Sequence, residues 1–389
     1  MKVGFYYHNT FLKKNNRIYV PGYIGVFIDA LASEVEQLYI FLEEQKDTES
    51  QEEDYCLQKP NIKLISLGKK TTFYARLLIP NKQVDIITSE TAHLDSFLIR
   101  MPSPLAPHIY NKIRNNIQVT PLVVGNYVTG LKNLKQPFIR KIGIIVLTYY
   151  YQWLENKMLN NAKILVNSGA LFNTLKQKVK SISLVKTTTL NEANFYKRED
   201  TCIQKKIYLL YTGRINFQKG LRELVSAVGQ LKDSYDLNID IVGWEEKGSF
   251  SYIEAINKQA SELGISDRVV FHGKKTIGPE LDSYYRKADI YVIPSYHEGF
   301  PRTIWEAMAN SLPVIATKVG SIPYFLSEKH AKLIAPKSIE ELKLAIEETI
   351  INIKARRSQI QEAYALAKEC TLERQTKLLV EIMKGYQSN

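Results

Sequence analysis

The stretch that most constrains the fold runs from Asp289 to Ala307. Asp289-Ile-Tyr-Val-Ile-Pro-Ser is a short β-branched and aromatic run, the pattern of a buried strand ending at Pro294. Glu298-Gly-Phe-Pro-Arg-Thr-Ile-Trp-Glu306 follows, with Pro301 at the expected first helical position, where its missing N–H costs nothing. A strand, a loop and a helix N-terminus in that order make an anion site, since unpaired N–H groups and the positive dipole end face the loop and Gly299 lets backbone approach. The expected anion is a phosphate. Glu298 in the loop and Glu306 on the helix would then accept hydroxyl hydrogen bonds on either side of it. Hexose, diphosphate and ribose occur in that order in a sugar nucleotide. Spacing alone is weak support, because 28 Glu in 389 residues give about two such pairs by chance.

Length predicts two domains of ordinary size. Strand and helix patterns alternate through both halves, which predicts parallel sheets covered by helices. In the first half, Met1–Tyr7 reads as a strand, His8–Arg17 as a polar loop, and Pro21-Gly22-Tyr23-Ile24-Gly25 as a glycine-containing cleft loop that leads into a helix. Candidates follow at Gln37–Leu42, Ile62–Leu67, Tyr74–Ile79, Val84–Thr88, Phe97–Met101, Pro104–Arg114, Val119–Val124 and Ile164–Asn167. Lys186–Lys205 is irregular and charged, as a linker would be. A second series then runs from the strand Lys206–Thr212 through the helix Pro279–Lys287 to the opening stretch, with residues 339–386 mainly helical.

The charge is uneven. Residues 1–190 hold 24 Lys+Arg against 14 Asp+Glu, net +10 of the chain's +12. Seven of those acids crowd into Glu43–Asp54, read as an exposed, solubilising hairpin or loop. A basic surface suits phosphates, acidic lipid headgroups or nucleic acid, and no nucleic-acid-binding motif occurs, so nucleic acid is not an expected partner. Ile139–Leu159 has too short an apolar core to span a bilayer. It reads either as a helix buried on the sheet or as an interfacial helix anchored by Tyr149-Tyr-Tyr-Gln-Trp153. Three scattered cysteines form neither a disulfide framework nor a zinc site, and Met1-Lys-Val-Gly-Phe enters a strand directly with no signal-peptide pattern. The expected location is the cytoplasm, with possible peripheral attachment at the inner face of the cell membrane.

Tyr211-Thr212-Gly213-Arg214 and Lys219-Gly220 close the strand that opens the second half. Arg214 and Lys219 would emerge on the carboxyl edge of that sheet, beside Glu298, and neutralise a diphosphate without a metal. No Asp-x-Asp element occurs, and neither a metal nor another cofactor is expected.

At these residues the sequence resembles the family 4, or group 1, glycosyltransferases. The resemblance covers most of 206–326: Gly213-Arg214, Lys219-Gly220, Val270-Phe-His-Gly273, Ala288–Ser295, Glu298-Gly-Phe-Pro with Glu306-Ala, Pro313-Val-Ile-Ala, and Gly320 with Pro323. It implies the GT-B fold, an α/β architecture of two Rossmann-like domains with parallel sheets facing an interdomain cleft. Residues 1–190 would bind acceptor, 191–373 would bind donor, and a C-terminal helix in 374–389 would cross back to the first domain. It also implies retaining transfer of a hexose-type sugar from a UDP- or GDP-sugar. On that pattern Arg214 and Lys219 hold the diphosphate and Glu298 the donor sugar, the three catalytic candidates. Glu306 holds the ribose, Gly273–Lys274 the base, and Gly213, Gly299, Phe300 and Pro301 complete the donor site.

The first half matches less well: the usual glycine pair appears as Pro21-Gly22, and Val124-Gly125-Asn126-Tyr127 stands where many members place a histidine. Arg100-Met-Pro-Ser-Pro104 resembles a motif of members that assemble bacterial surface polysaccharides (O-antigen, capsule or exopolysaccharide), which implies a saccharide or polyprenyl-linked acceptor. A non-catalytic nucleotide-sugar-binding or scaffolding module and a sugar-nucleotide epimerase remain the alternatives.

Overall fold

The computed structural model describes residues 1–45, 55–70, 81–125, 128, 138–245 and 251–385. Two compact units emerge, Met1–Thr187 with Leu372–Asn389, and Thr188–Thr371. The candidate element Tyr74–Ile79, the acidic residues 46–54 and Asn126-Tyr127 lie outside the described residues.

The first unit is built on strands β1 (Lys2–Lys14), β2 (Arg17–Val20), β3 (Gln37–Glu44), β4 (Tyr55–Cys56), β5 (Ile62–Lys69), β6 (Ser96–Met101), β7 (Gln118–Val123), β8 (Lys163–Val166) and β9 (Ser181–Leu184). Seven pair in parallel in the order β5-β3-β1-β6-β7-β8-β9, with Tyr6 opposite Ile99. The central strands are buried on both faces by apolar clusters, which is why they read as continuous hydrophobic runs.

The expected polar loop His8–Arg17 is instead strand and hairpin. β1 continues to Lys14, turns at Asn15-Asn16, both at positive φ, and returns as β2 in antiparallel pairing, with β4 added beyond. Asparagine tolerates that left-handed backbone, so two polar residues make a tight turn rather than a loop. Gly22 is likewise no loop residue. Pro21 precedes the helix Gly22–Ser33, and Gly22 is its buried first residue. Glu43 and Glu44 are also misread as loop: both belong to β3, where Glu43 is buried and accepts from Gln83 Nε2 at 3.0 Å.

The helix Leu372–Gly385 packs in this unit. Leu372, Leu379, Val380 and Met383 share a buried cluster with Ile24, Ile28 and Leu31 of the Gly22–Ser33 helix.

The helix Phe138–Leu159 separates the two readings of its sequence by face. Tyr151, Glu155, Met158 and Leu159 are buried, whereas Ile142, Val146, Tyr149, Tyr150 and Trp153 are 47–63% exposed. Steps of four, three, one and three residues put those five on one side, an apolar and aromatic stripe in solvent. No helix among the described residues is long and apolar enough to cross a membrane.

The second unit has a wholly parallel sheet of β10 (Lys206–Thr212), β11 (Asp236–Val242), β12 (Val269–Phe271), β13 (Ile290–Ile293), β14 (Val314–Thr317) and β15 (Lys332–Ile334), in the order β12-β11-β10-β13-β14-β15. The order reverses between β10 and β13, so the crevice of this sheet opens at their carboxyl ends. Its core is one large cluster that includes Trp305. The segment read as a linker is tied down here: Arg198 donates to the carbonyls of Tyr285, Arg286, Ala288 and Asn310, and Asp200 lies 2.6 Å from Arg356 Nε and 2.9 Å from Arg357 Nε.

Candidate active site

The loop after β10 and the loop after β13 are locked together by backbone. Tyr296 N donates to Gln218 O at 2.8 Å, and Gly220 sits at φ +64 with its α-carbon against Pro294. A β-carbon at Gly220 would lie 2.1 Å from Pro294 O, so only glycine allows this approach. The rim extends both ways. Gly213 N donates to Val242 O, Ile215 N to Trp244 O and Gly243 N to Gly273 O on one side, and Ser321 N to Gly299 O on the other.

Lys219 and Glu298 meet at this seam. Lys219 Nζ lies 2.6 Å from Glu298 Oε1, with the two side chains 13% and 10% exposed, and the buried Ser295 hydroxyl donates to the same oxygen at 2.7 Å. The sequence reading gave these residues separate partners, diphosphate and sugar. The structure pairs them with each other, because a lysine withdrawn from water needs a counter-charge. The ammonium keeps two further donors and the carboxylate its second oxygen. Arg214, by contrast, is exposed, and its carbonyl accepts from the Tyr211 hydroxyl at 2.7 Å.

Glu306 lies in the helix Thr303–Ala309, and its carboxylate is oriented by two hydroxyls: Thr189 Oγ1 donates to Oε1 and the Tyr285 hydroxyl to Oε2, each at 2.7 Å. Beneath the rim Tyr285 and Tyr291 are fully buried, and both lie within hydrogen-bonding distance of Thr212 Oγ1. Tyr291 also donates to Thr303 Oγ1 at 2.6 Å. Burial, and for Tyr285 next the Glu306 charge, hold both phenols above their ordinary range, so they stay protonated donors. Sequence reasoning missed Thr189, Thr212, Tyr285, Tyr291 and Thr303. The available signal was two tyrosines in otherwise apolar core positions, whose hydroxyls must find partners when buried.

One assignment needs correction. Pro301 does not open the helix. Ile304 N and Trp305 N reach back to Pro301 O and Arg302 O, so the helix begins at Thr303 and is only seven residues long. The Phe300 ring stacks on Trp305 at 4.6 Å and meets Phe325 edge-on at 5.0 Å, packed against the core of this unit. Gly299 is exposed. Gly273, at φ +70, and Lys274, whose ammonium lies 5.4 Å from the Trp244 ring centroid, are exposed on the β12 side of the rim.

The site therefore offers a buried lysine–carboxylate pair, an exposed arginine and a second, oriented carboxylate along the edge of one parallel sheet. Such a set can take an anion flanked by hydroxyl-bearing groups.

Comparisons with known proteins agree with this architecture. Residues 194–366 match the family of group 1 glycosyl transferases. The D-inositol 3-phosphate glycosyltransferase of Paenarthrobacter aurescens (strain TC1) is 36% identical over 126 residues, covering 31% of this chain and 29% of that relative. The match thus spans less than a third of that relative's length. Protein CapJ of Staphylococcus aureus is 24% identical over 315 residues, 78% of this chain and 75% of CapJ. HepE of Anabaena, solved in complex with UDP, superposes with a TM-score of 0.73 at 14% identity, over 99% of this chain and 100% of HepE. Residues 194–366 are thus similar to the group 1 glycosyltransferases, and the chain is built on the GT-B fold.

Proposed function

We propose that the protein is a retaining, metal-independent glycosyltransferase. It moves a hexose-type sugar from a UDP- or GDP-sugar to a saccharide or lipid-linked acceptor in the assembly of a bacterial surface polysaccharide. The observation that carries this reading is the Lys219–Glu298 pair at the reversal point of the second sheet, with Glu306 oriented on the following helix.

In this reading the diphosphate enters between Arg214 and Lys219, and Lys219 shifts from a carboxylate-answered to a phosphate-answered cation. Glu298 then has its charge free to orient the sugar and to stabilise positive charge growing at the reacting carbon. Two cations preorganised where the leaving group gains charge lower the barrier most. Glu306, with one lone pair on each oxygen already used, still has acceptor capacity for the ribose hydroxyls. UDP is the first nucleotide to try, since HepE was solved with UDP and with UDP-glucose.

The motif Arg100-Met-Pro-Ser-Pro104 supports the surface-polysaccharide acceptor. The exposed stripe on the Phe138–Leu159 helix supports attachment to an anionic bilayer, because Arg140, Lys141 and Lys157 flank it and the first 190 residues carry net +10.

The test is thermal stabilisation by UDP- and GDP-sugars, followed by transfer assays with and without EDTA and assignment of the product anomer by NMR. Transfer that survives EDTA with retained configuration is expected. Binding without transfer over a broad acceptor panel would favour a binding module, and donor conversion without acceptor would favour an epimerase.

A further inference from the structure

The first unit's sheet also reverses its order, between β1 and β6, so that unit has its own crevice at the carboxyl ends of those strands. Arg100 and Tyr7 stand there side by side, one residue past the paired Tyr6 and Ile99. The Arg100 guanidinium lies over the Tyr7 ring, 4.8 Å from its centroid. Asn9 Nδ2 donates to the Tyr23 hydroxyl at 3.0 Å, and the Tyr6 and Ser103 hydroxyls lie 3.0 Å apart. Hydroxyls and one cation converge on one edge.

Arg100 is the unexplained member. It is half-buried, its Nε is buried without a hydrogen-bond partner, and among the described residues no carboxylate pairs with it. The undescribed residues after β7, 126–127 and 129–137, include no Asp or Glu. Other withdrawn cations among the described residues are answered: Lys219 by Glu298, Arg356 by Asp200 and Arg198 by four carbonyls. A guanidinium whose Nε is withdrawn from water without a partner is costly, and an anion that accepts from it removes that cost.

We propose that Arg100, stacked on Tyr7, binds the phosphate of a phosphate-bearing acceptor in the crevice between β1 and β6. This deepens the glycosyltransferase reading and rests on it, because it names the acceptor's chemical class. Arginine suits this task better than lysine, since its fork matches phosphate oxygens two at a time while its face stays on the aromatic ring. Tyr23 and Asn9 flank the position with groups that can meet sugar hydroxyls.

Calorimetric titrations on the full chain, saturated with UDP to occupy the donor site, test the proposal with two matched pairs: geranyl phosphate against geraniol, and glucose 1-phosphate against glucose. Wild type should prefer the phosphate member of a pair by at least about tenfold, the order expected for a charge-assisted bond. Arg100→Gln should erase that preference, and Arg100→Lys, which keeps the charge but not the fork, should restore only part of it. UDP affinity should be unchanged in both variants, and a wild-type circular-dichroism spectrum and unfolding profile show that both units fold. Preference within the geranyl pair alone identifies a lipid-linked phosphate, and preference within both identifies phosphate as sufficient. Equal binding of the neutral partners, a preference that survives Arg100→Gln, or a loss confined to UDP affinity would each overturn the proposal. Failure of wild type to bind any nucleotide would instead sink the donor reading, and the same pairs titrated without UDP would still decide the role of Arg100.

Discussion

Replacing Glu298 by glutamine should weaken the empty protein and strengthen its grip on UDP. In the empty site Glu298 answers Lys219 at 2.6 Å with both side chains nearly buried. Removing one partner of a fully buried pair costs about 3–5 kcal/mol, and the remaining exposure and the neutral glutamine oxygen reduce this to roughly 2 kcal/mol. For a unit of the size of Thr188–Thr371, that corresponds to a fall in Tm of about 4–8 °C. A diphosphate entering wild type must compete with the carboxylate for Lys219. In Glu298→Gln it meets an unanswered ammonium, and regaining about half of a charge-assisted bond of ~1.5–3 kcal/mol tightens UDP roughly fivefold. Saturating UDP should therefore narrow the Tm gap between variant and wild type, while kcat for transfer falls by about 100-fold through loss of the carboxylate beside the sugar. Lys219→Met should do the reverse for UDP and weaken it. The measurements are thermal unfolding with and without UDP, calorimetric UDP affinity and initial rates. If Glu298→Gln bound UDP more weakly than wild type, or if UDP widened the Tm gap, the pair would not be a cation shared between carboxylate and phosphate.

Glu306→Gln places an amide against the Thr189 and Tyr285 hydroxyls and should raise the donor KM by about 10-fold or more with kcat nearly kept; an unchanged KM would remove Glu306 from the donor site. Glu155, which accepts from Ser103 N at 3.2 Å, has its carboxyl pushed by burial from 4.5 up to about 8. Between those values the folded chain holds a proton that the unfolded chain has released, so this stability is full below pH 4.5 and lost as pH rises through about 8. Tm should decline over that window in wild type and run flatter in Glu155→Gln, and parallel curves would refute the assignment. Tyr149→Ala with Trp153→Ala should abolish sedimentation with vesicles rich in anionic lipid, binding that wild type loses as salt rises; equal wild-type binding to neutral vesicles would refute the charge component.

The second unit was legible because its strands are fully buried and its loops carry glycine and proline where backbone must turn or approach. Pro279–Lys287 and Lys206–Thr212 run in the structure as they read in the sequence. What could not be read was who meets whom. Lys219 and Glu298 are 79 positions apart, and nothing local says that one will neutralise the other. Glu306 recruits Thr189 across 117 positions, from a segment whose polarity marks it as linker until its buried partners are known. In the first unit the period of the hydrophobic pattern breaks down at polar residues inside strands: His8 to Lys14 extends β1 because β2 and β3 supply pairing that the residues themselves do not advertise. β9 and β15, at four and three residues, are too short for alternation to register.

Because the last helix, Leu372–Gly385, fills the core of the unit that starts the chain, the two units differ in when they can be completed during synthesis. The second unit is one unbroken segment, whole as soon as Thr371 has left the ribosome. The first must wait with the Ile24, Ile28 and Leu31 surface uncovered until Leu372–Gly385 has emerged as well, so of the two units the one begun first is finished last. Shortening the chain from its C-terminus would accordingly injure the opposite end of the sequence, leaving the contiguous unit intact.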